Sequence, residues 1–141
     1  MIERIAYVSR ARPGLTNADV YDLVRLSVNR NSRHGLTGGL LVLDGYFLQV
    51  LEGDAHRVDE RYRAIAADPR HSALELRLRA PVRERLFADE WMALRLPEQV
   101  PAALRCAFGY APGLPAARFD GARVVDFIHA CCRHAAEDAT A

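Results

Sequence analysis

The sequence predicts an α+β fold with the element order β-α-β-β-α-β-β, followed by a helical extension. Three observations lead to this prediction. An apolar stripe at helical spacing follows a short strand pattern near the N-terminus. Two apolar runs then meet at Asp44-Gly45, which is a strong signal for a tight hairpin. Finally, residues 73–80 alternate leucine with charged side chains, as a half-exposed strand does.

The first strand is predicted over residues 2–9, where β-forming side chains are concentrated. Thr16 or Asn17 can cap the helix that follows, and Asp19 lies in its first turn, where the helix dipole favours a carboxylate. The stripe of this helix becomes polar toward its C-terminal end, so it could hold a flat aromatic ligand and offer it hydrogen bonds. Its members are Val20, Leu23, Val24, Ser27 and Asn31.

Residues 36–43 and 46–51 are predicted to pair as a hairpin. Alternation in the second strand places Phe47, Gln49 and Leu51 on one face and Tyr46, Leu48 and Val50 on the other. Gln49 is an amide in an otherwise hydrophobic strand. Burying an amide without partners costs roughly 1–3 kcal/mol. We therefore expect Gln49 to bond something specific, for which the polar edge of a ligand ring would serve.

A second helix is predicted with Val58, Tyr62 and Ile65 on its buried stripe, and Asp68-Pro69 should end it. Residues 73–80 form the next strand, which Pro81 should break, and residues 86–94 form the fifth strand candidate. This order is a ferredoxin-like plan with one extra strand, and both helices should pack on the same face of the sheet.

The composition changes at Pro97, where prolines become frequent, so we divide the chain into a core of residues 1–96 and an extension of residues 97–141. The extension should contain a short helix near residues 102–108 and a longer one over about residues 119–136. The apolar stripe of the longer helix is Val124, Phe127, Ile128, Cys131 and Ala135. We expect these helices to pack on the face of the sheet opposite the ligand.

Composition excludes several classes of protein. The formal net charge of +1 argues against a nucleic-acid partner, and no apolar run reaches the roughly 18 residues that a membrane span needs. The N-terminus carries charges where a signal peptide has its apolar core, so we expect a cytoplasmic protein. The three cysteines should be reduced. His129, Cys131, Cys132 and His134 do not converge from one helix as four ligands would, so no metal is expected.

Five motifs together resemble the BLUF family, the blue-light sensors that use FAD. They are IAYVSRA with Tyr7, the Asn31 segment with LTGGLL, FLQVLEG with Gln49, DPRH, and the late pair Trp91-Met92. They occur in the family's order over about residues 2–95. The resemblance implies an FAD-binding photosensor. It implies that Tyr7 and Gln49 are the photochemical pair, that Met92 faces Gln49, and that Asn31 holds the edge of the isoalloxazine ring.

The resemblance also implies further cofactor contacts. Asp68, Arg70 and His71 match the family's D-x-RH signature, which lies near the ribityl and phosphate end of FAD or braces the second helix. An ordinary charged turn with its own ion pair is the alternative. Ala64 stands where many members place a basic or imidazole residue. Either Arg63 substitutes for it or the cofactor is held more loosely. Val24 and Ser27 lie on the same helical stripe as Asn31 and are the remaining residues expected to contact the cofactor.

Trp91 lies one place later than the family pattern has it, whereas Met92 keeps its spacing from Phe87. Because a shift of one residue in a strand exchanges faces, Met92 should face Gln49 while Trp91 points away. A bulged strand, or one that alternates between two arrangements, is the other interpretation.

The leading hypothesis is therefore a blue-light receptor rather than an enzyme. Its signal would pass to a protein partner or to the interface of a homo-oligomer. A ferredoxin-like binding module that has lost photoactivity is the alternative, motivated by Ala64 and by the displaced Trp91. A small hydrolase is disfavoured because no nucleophile–base set is visible.

Overall fold

The computed structural model describes residues 2–112 and 114–140, without the side chains of residues 135–140. The strands are β1 (Ile2–Ala11), β2 (Thr37–Leu43), β3 (Tyr46–Asp54), β4 (His71–Val82) and β5 (Ala93–Arg95). The helices are α1 (Asn17–His34), α2 (Ala55–Ala66), α3 (Ala102–Ala107) and α4 (Gly121–Thr140), with a 3₁₀ turn over Pro97–Gln99. The predicted element order is confirmed.

The five strands form one mixed sheet in the order β4-β1-β3-β2-β5. β1 runs antiparallel to both β3 and β4, β2 runs antiparallel to β3, and β5 runs parallel to β2. In this register Tyr7 of β1 and Leu40 of β2 both lie opposite Gln49, so the central strand carries the amide between them.

Each face of the sheet has its own core. On one face α1 and α2 pack over residues that include Ile5, Phe47 and Leu51, and we call this the helix-pair face. On the other face, which we call the α4 face, α4 packs over Leu48 and Val50. The predicted alternation of β3 is therefore confirmed, as is the position of the final helix opposite α1 and α2. Ala135, the last residue of the predicted stripe, has a side chain outside the described residues.

The ends of α1 follow from local chemistry. The Thr16 hydroxyl accepts the Asp19 backbone N–H while the Asp19 carboxylate accepts that of Thr16, a capping box. At the other end Gly35 adopts φ 67°, and both Gly35 and Leu36 donate their backbone N–H to the Asn31 carbonyl. Asn31 therefore lies one turn before the helix end.

β4 extends to Val82, so the expectation that Pro81 breaks this strand is wrong. β4 is the edge of the sheet, and Pro81 pairs with Glu3 of β1. An edge strand tolerates proline because only one side of its backbone must bond a neighbour. The final helix begins at Gly121, two residues later than about Phe119, and a Cβ at Gly121 would lie 2.2 Å from the carbonyl oxygen of Arg77.

The predicted fifth strand over residues 86–94 is also wrong in extent, because β5 spans only Ala93–Arg95. Residues 83–92, which we call the linking segment, are irregular. The backbone N–H groups of Leu86 and Phe87 bond the carboxylate of Glu52 instead of a neighbouring strand. A side chain on β3 has thus replaced the strand ladder that the apolar pattern suggested.

Candidate functional site

A cavity lies between the helix-pair face of the sheet and the helices α1 and α2. It has a volume of about 540 Å³, counting the part open to solvent. Most of the expected site residues line it: Tyr7, Ser27, Asn31, Gln49, Asp68, Arg70, His71 and Met92. The wall therefore joins residues from β1, α1, β3 and β4 with residues of two connecting segments.

Gln49 bridges Tyr7 and Met92 at the floor of the cavity. The Tyr7 hydroxyl donates a hydrogen bond to Gln49 Oε1, and Gln49 Nε2 donates to Met92 Sδ at 3.4 Å. Tyr7 is only 4% exposed and Gln49 only 6%. An amide NH₂ carries two hydrogens, and a thioether is a weak acceptor. Gln49 therefore keeps donor capacity for a ligand that enters the cavity.

Burial raises the pKa of the Tyr7 phenol above its ordinary value, and the negative charge of Asp68 raises that pKa further. The phenol consequently stays protonated throughout the physiological pH range. Its proton leaves only when something else changes the chemistry of the ring, for example the loss of an electron. A hydrogen bond to Gln49 Oε1 gives that proton a defined acceptor.

Asn31 has one satisfied side-chain group and one unsatisfied group. Its Nδ2 donates to the Trp91 carbonyl at 2.8 Å, whereas its Oδ1 finds no partner among residues 2–112 and 114–140. The residue is 1% exposed. A buried, unpaired carbonyl oxygen in a cavity wall is costly unless a ligand supplies an N–H donor. The isoalloxazine ring carries an N–H between two carbonyl groups at one edge, so an unpaired acceptor at this position fits a flavin.

His71 is held by hydrogen bonds on both ring nitrogens. Nε2 lies 2.6 Å from the Ile65 carbonyl oxygen, which can only accept, so Nε2 carries a proton. Nδ1 lies 2.6 Å from Ser9 Oγ, and in the neutral ring it accepts the Ser9 proton. The ring packs edge-on against Tyr7 and Phe47, with both centroid distances at 6.1 Å. His71 thus braces the end of α2 against the sheet and also lines the cavity.

Arginines outnumber carboxylates along the cavity wall, which makes this part of the wall positive. Arg70 pairs with Asp68 through its Nε at 2.9 Å, and this pair lowers the Asp68 pKa. Arg30 and Arg61 add two further guanidinium groups. Burial lowers the pKa of Arg61, and the neighbouring charge of Arg30 lowers that pKa further. Such an excess of cations attracts an anionic group such as a phosphate.

Two expected contacts lie away from the cavity. The Arg63 side chain is 80% exposed and pairs with Asp59 at 3.1 Å, on the outer side of α2. Val24 packs into the core of the helix-pair face without lining the cavity. Ala64, which prompted the search for a substitute base, is exposed.

The sequence contained a signal for the two arginines that do line the cavity. Arg61 lies four residues before Ile65 and three after Val58, hence beside the predicted apolar stripe of α2. Arg30 lies three residues after Ser27 and adjoins Asn31. Helical spacing, applied to charged residues as well as to apolar ones, would have favoured Arg61 over Arg63.

Met92 and Trp91 lie in different environments. Met92 is 6% exposed and contacts Gln49, whereas Trp91 is 44% exposed. The Trp91 backbone still takes part in the site, because its carbonyl accepts the Asn31 amide.

Two features of the described residues bear on other classes of protein. Among residues 2–112 and 114–140, no group of three His, Cys, Asp or Glu side chains is arranged to hold a metal ion. Within the same ranges, no helix combines the length and the apolar character that a bilayer crossing requires.

Comparison with known protein families decides the family. The BLUF family, described as sensors of blue-light using FAD, matches residues 2–93, well over half of the chain. The chain belongs to the BLUF family. It is therefore a BLUF blue-light sensor, and its cofactor is a flavin, FAD. The cavity, the unpaired Asn31 Oδ1 and the Tyr7–Gln49 hydrogen bond agree with a flavin site.

Solved structures of BLUF proteins match nearly the whole chain. The dark-state structure of the BLUF protein BlrB is 32% identical and covers 96% of both chains, with a TM-score of 0.74. The photo-activated state of BlsA covers 94% of this chain and 95% of its own, with a TM-score of 0.81, but at 20% identity it shows the fold alone. Klebsiella pneumoniae BlrP1, solved with FMN and cyclic diGMP, is 29% identical, covers 67% of this chain and 26% of its own, and has a TM-score of 0.64.

The curated relatives are much longer proteins. The photoactivated adenylate cyclase subunit beta of Euglena gracilis is 33% identical over 98 residues, which are 70% of this chain and 11% of the relative. The blue light- and temperature-regulated antirepressor BluF of Escherichia coli (strain K12) is 35% identical over 71 residues, half of this chain and 18% of the relative. The chain thus spans between a tenth and a fifth of these relatives. The match to the cyclase leaves most of that enzyme uncovered, whereas the match to the BLUF protein BlrB extends over nearly the full length of both chains.

Proposed function

We propose that this BLUF domain switches when Tyr7 gives up an electron and its phenolic proton and Gln49 then rearranges its hydrogen bonds. The flavin, when bound, supplies the absorption of blue light and an excited state that accepts an electron. Everything else in the switch is done by side chains of this chain. Once the electron and the proton have returned to Tyr7, the product is a protein state in which Gln49 offers different groups to its neighbours.

The observation that carries this proposal is the hydrogen-bonded series from Tyr7 through Gln49 to Met92. Gln49 presents its carbonyl to Tyr7 and its NH₂ to Met92 and the cavity. A turn of the amide, or a change of its tautomer, exchanges donor and acceptor at both ends. At the Met92 end the turn breaks only a weak hydrogen bond, because Sδ is a weak acceptor.

The remaining wall residues would hold and orient the cofactor. Asn31 would accept an N–H at its Oδ1, and Ser27 lines the same wall one helical turn earlier. Arg30, Arg61 and Arg70 would bind the anionic end of the flavin. His71 would keep the Tyr7 ring in place, since it packs against that ring and is itself held on both nitrogens.

The test is the visible spectrum of the purified, flavin-loaded protein in the dark and after blue light. The wild-type protein should show a flavin spectrum that shifts slightly to the red and relaxes in the dark. Tyr7→Phe and Gln49→Ala should keep the flavin and lose the shift. If either variant still shifts, the proposed switch is wrong.

Tyr62→Phe is the matched control. The Tyr62 ring lies 6.4 Å from the Tyr7 ring, so this variant removes a neighbouring phenol hydroxyl without touching the series through Gln49. Its red shift should match that of the wild type. Loss of the shift in Tyr62→Phe would show that any change near Tyr7 abolishes the red shift. The Tyr7→Phe and Gln49→Ala results would then not support the proposed switch.

We further propose that the switched state is read by a protein partner or by a second copy of the chain. This proposal is supported by the direct contact of Met92 with Gln49, because β5 begins at the next residue and packs on α4 through Arg95. Light scattering of the flavin-loaded protein, in the dark and under blue light, tests the second-copy form. If the mass is the same in the dark and under blue light, a second copy does not read the switched state, and a different protein partner is the proposal that remains.

A further inference from the structure

The first half of the linking segment is held by one buried carboxylate, that of Glu52. The side chain is fully buried and accepts the backbone N–H of Phe87 at 2.9 Å and that of Leu86 at 3.0 Å. Arg4 Nε donates to the same carboxylate at 2.8 Å. Arg85 donates to the Glu52 backbone carbonyl at 3.1 Å. These bonds fix the segment to the end of β3.

The linking segment passes from one face of the sheet to the other. Phe87 belongs to the core of the α4 face, where its ring meets that of His129 with centroids 5.5 Å apart. Five residues later Met92 belongs to the core of the helix-pair face and contacts Gln49. Between them the Glu90 carbonyl accepts the Gly38 backbone N–H at 3.0 Å.

The strengths of the bonds along the segment are unequal. At the Glu52 end a carboxylate accepts two backbone N–H groups, and charge-assisted bonds of this kind are roughly twice as strong as neutral ones. At the cavity end the Asn31 amide bonds the Trp91 carbonyl, and the Gln49 amide bonds a thioether, which is a weak acceptor. Residues 83–92 lack a strand ladder, so the strong bonds at the Glu52 end add to the pairing of Ala93 with Gly39 in setting the position of Met92.

We propose that Glu52 is a positioning residue of the light switch. By holding Leu86 and Phe87, its carboxylate keeps the linking segment in the path that places Met92 against Gln49. This inference rests on the proposed function, because it concerns the resistance that Met92 offers when the Gln49 amide turns. If the linking segment is held less firmly, Met92 can move when the Gln49 amide returns to its dark orientation. Dark recovery should then be faster.

The test compares Glu52→Gln with the wild type and with two controls, all loaded with flavin. Glutamine retains one acceptor oxygen but presents an NH₂ where the second backbone N–H needs an acceptor. Glu75→Gln makes the same chemical change at a side chain that is 60% exposed. Val124→Ala weakens the α4 core, to which Phe87 also belongs, while leaving the bonds of Glu52 in place, so it reports what a loss of stability alone does to the photocycle.

Two quantities are measured in each protein: hydrogen exchange of the Leu86 and Phe87 amides, and the rate of dark recovery after blue light. In Glu52→Gln we expect at least one of these amides to exchange about tenfold faster and dark recovery to be about threefold faster or more. In Glu75→Gln and Val124→Ala the recovery rate should stay within about a factor of 1.5 of the wild type.

Faster exchange with unchanged recovery would show that Glu52 holds the segment without positioning Met92, and would overturn the inference. If the Leu86 and Phe87 amides exchange at the wild-type rate, Glu52 does not hold the segment, and this result also overturns the inference.

If Glu52→Gln does not fold, Arg85→Gln tests the same end of the segment, since it removes the bonds of Arg85 to Thr37 Oγ1 and to the Glu52 carbonyl. Arg85→Gln should likewise show faster exchange of the Leu86 and Phe87 amides and faster dark recovery. A wild-type value of either quantity would overturn the inference.

The wild-type spectrum separates this inference from the proposed function. A wild-type protein without a light-induced shift would refute the switch and the positioning role together. A wild-type protein that shifts, beside a Glu52→Gln variant that recovers at the wild-type rate, would refute only the role of Glu52.

Discussion

The helix-pair face of the sheet leaves a cavity, whereas the α4 face is filled with apolar side chains. The same three central strands supply both. On the helix-pair face they present Tyr7, Ser9 and Gln49, all nearly fully buried and all polar at their tips. On the α4 face β3 presents Leu48 and Val50, and Phe119, Phe127 and Ile128 cover the sheet with no measurable exposure.

This difference shows where stability comes from and where function lies. A close-packed apolar core stabilises the fold in proportion to the area and volume that it buries. A cavity with an unpaired Asn31 Oδ1 does the opposite, and it becomes favourable only when a ligand supplies the missing donor. The α4 face therefore contributes stability alone, whereas the helix-pair face combines its apolar core with the binding site.

The largest expected effect is on the α4 face. Phe127→Ala should lower the free energy of unfolding by about 3–5 kcal/mol, because it empties the centre of a core in which three aromatic rings surround Phe127. Urea unfolding of the flavin-free protein measures it. A loss below about 1 kcal/mol would show that the α4 core is loosely packed and would remove the contrast between the two faces.

Asn31→Ala should have a smaller effect, and on flavin retention rather than on folding. The variant removes the unpaired Oδ1 together with the Nδ2 bond to Trp91, so flavin affinity should fall about tenfold, the equivalent of one hydrogen bond. Titration with FAD, followed by fluorescence quenching, measures it. An unchanged affinity would mean that Oδ1 does not meet the flavin.

The two arginines of α2 provide a matched pair. Arg61→Gln should weaken flavin binding by about threefold to tenfold because Arg61 lines the cavity, whereas Arg63→Gln should leave it unchanged. The comparison should be made with FAD and with riboflavin. The Arg61 effect should disappear with riboflavin, which lacks phosphate. Equal effects of the two variants would refute the assignment of Arg61 to the anionic end.

The smallest expected effect is that of alkaline pH on the switch. Burial raises the pKa of Tyr7, so the phenol should stay protonated, and the light-induced shift should persist unchanged between pH 7 and about pH 10, the ordinary tyrosine value. The unfolded chain ionises this phenol near that pH, so the contribution of Tyr7 to stability is present below it and is lost as the pH rises further. A shift that titrates away with a midpoint near pH 10 would show an exposed phenol.

Many residues of the helix-pair face could be predicted from the sequence, because their positions follow from local spacing. The period of two in β3 placed Gln49 with Phe47 and Leu51, and the helical period placed Ser27 and Asn31 on one stripe. The resemblance to the BLUF family contributed the roles of Tyr7 and Met92. The assignments of Gln49, Ser27 and Asn31 each depend on one element and its own periodicity.

Only the tertiary structure decided how residues 83–92 run and what the arginines beside the helical stripes meet. The apolar pattern around Phe87 indicated a strand, but the Glu52 carboxylate, more than thirty positions earlier in the chain, takes the backbone N–H groups that a strand would have used. Similarly, helical spacing places Arg61 beside the apolar stripe of α2, but only the assembled fold shows that it meets a cavity. Local periodicity specifies what a residue's neighbours on the same element are, whereas the partners of a buried charge depend on which distant atoms folding brings within hydrogen-bond distance.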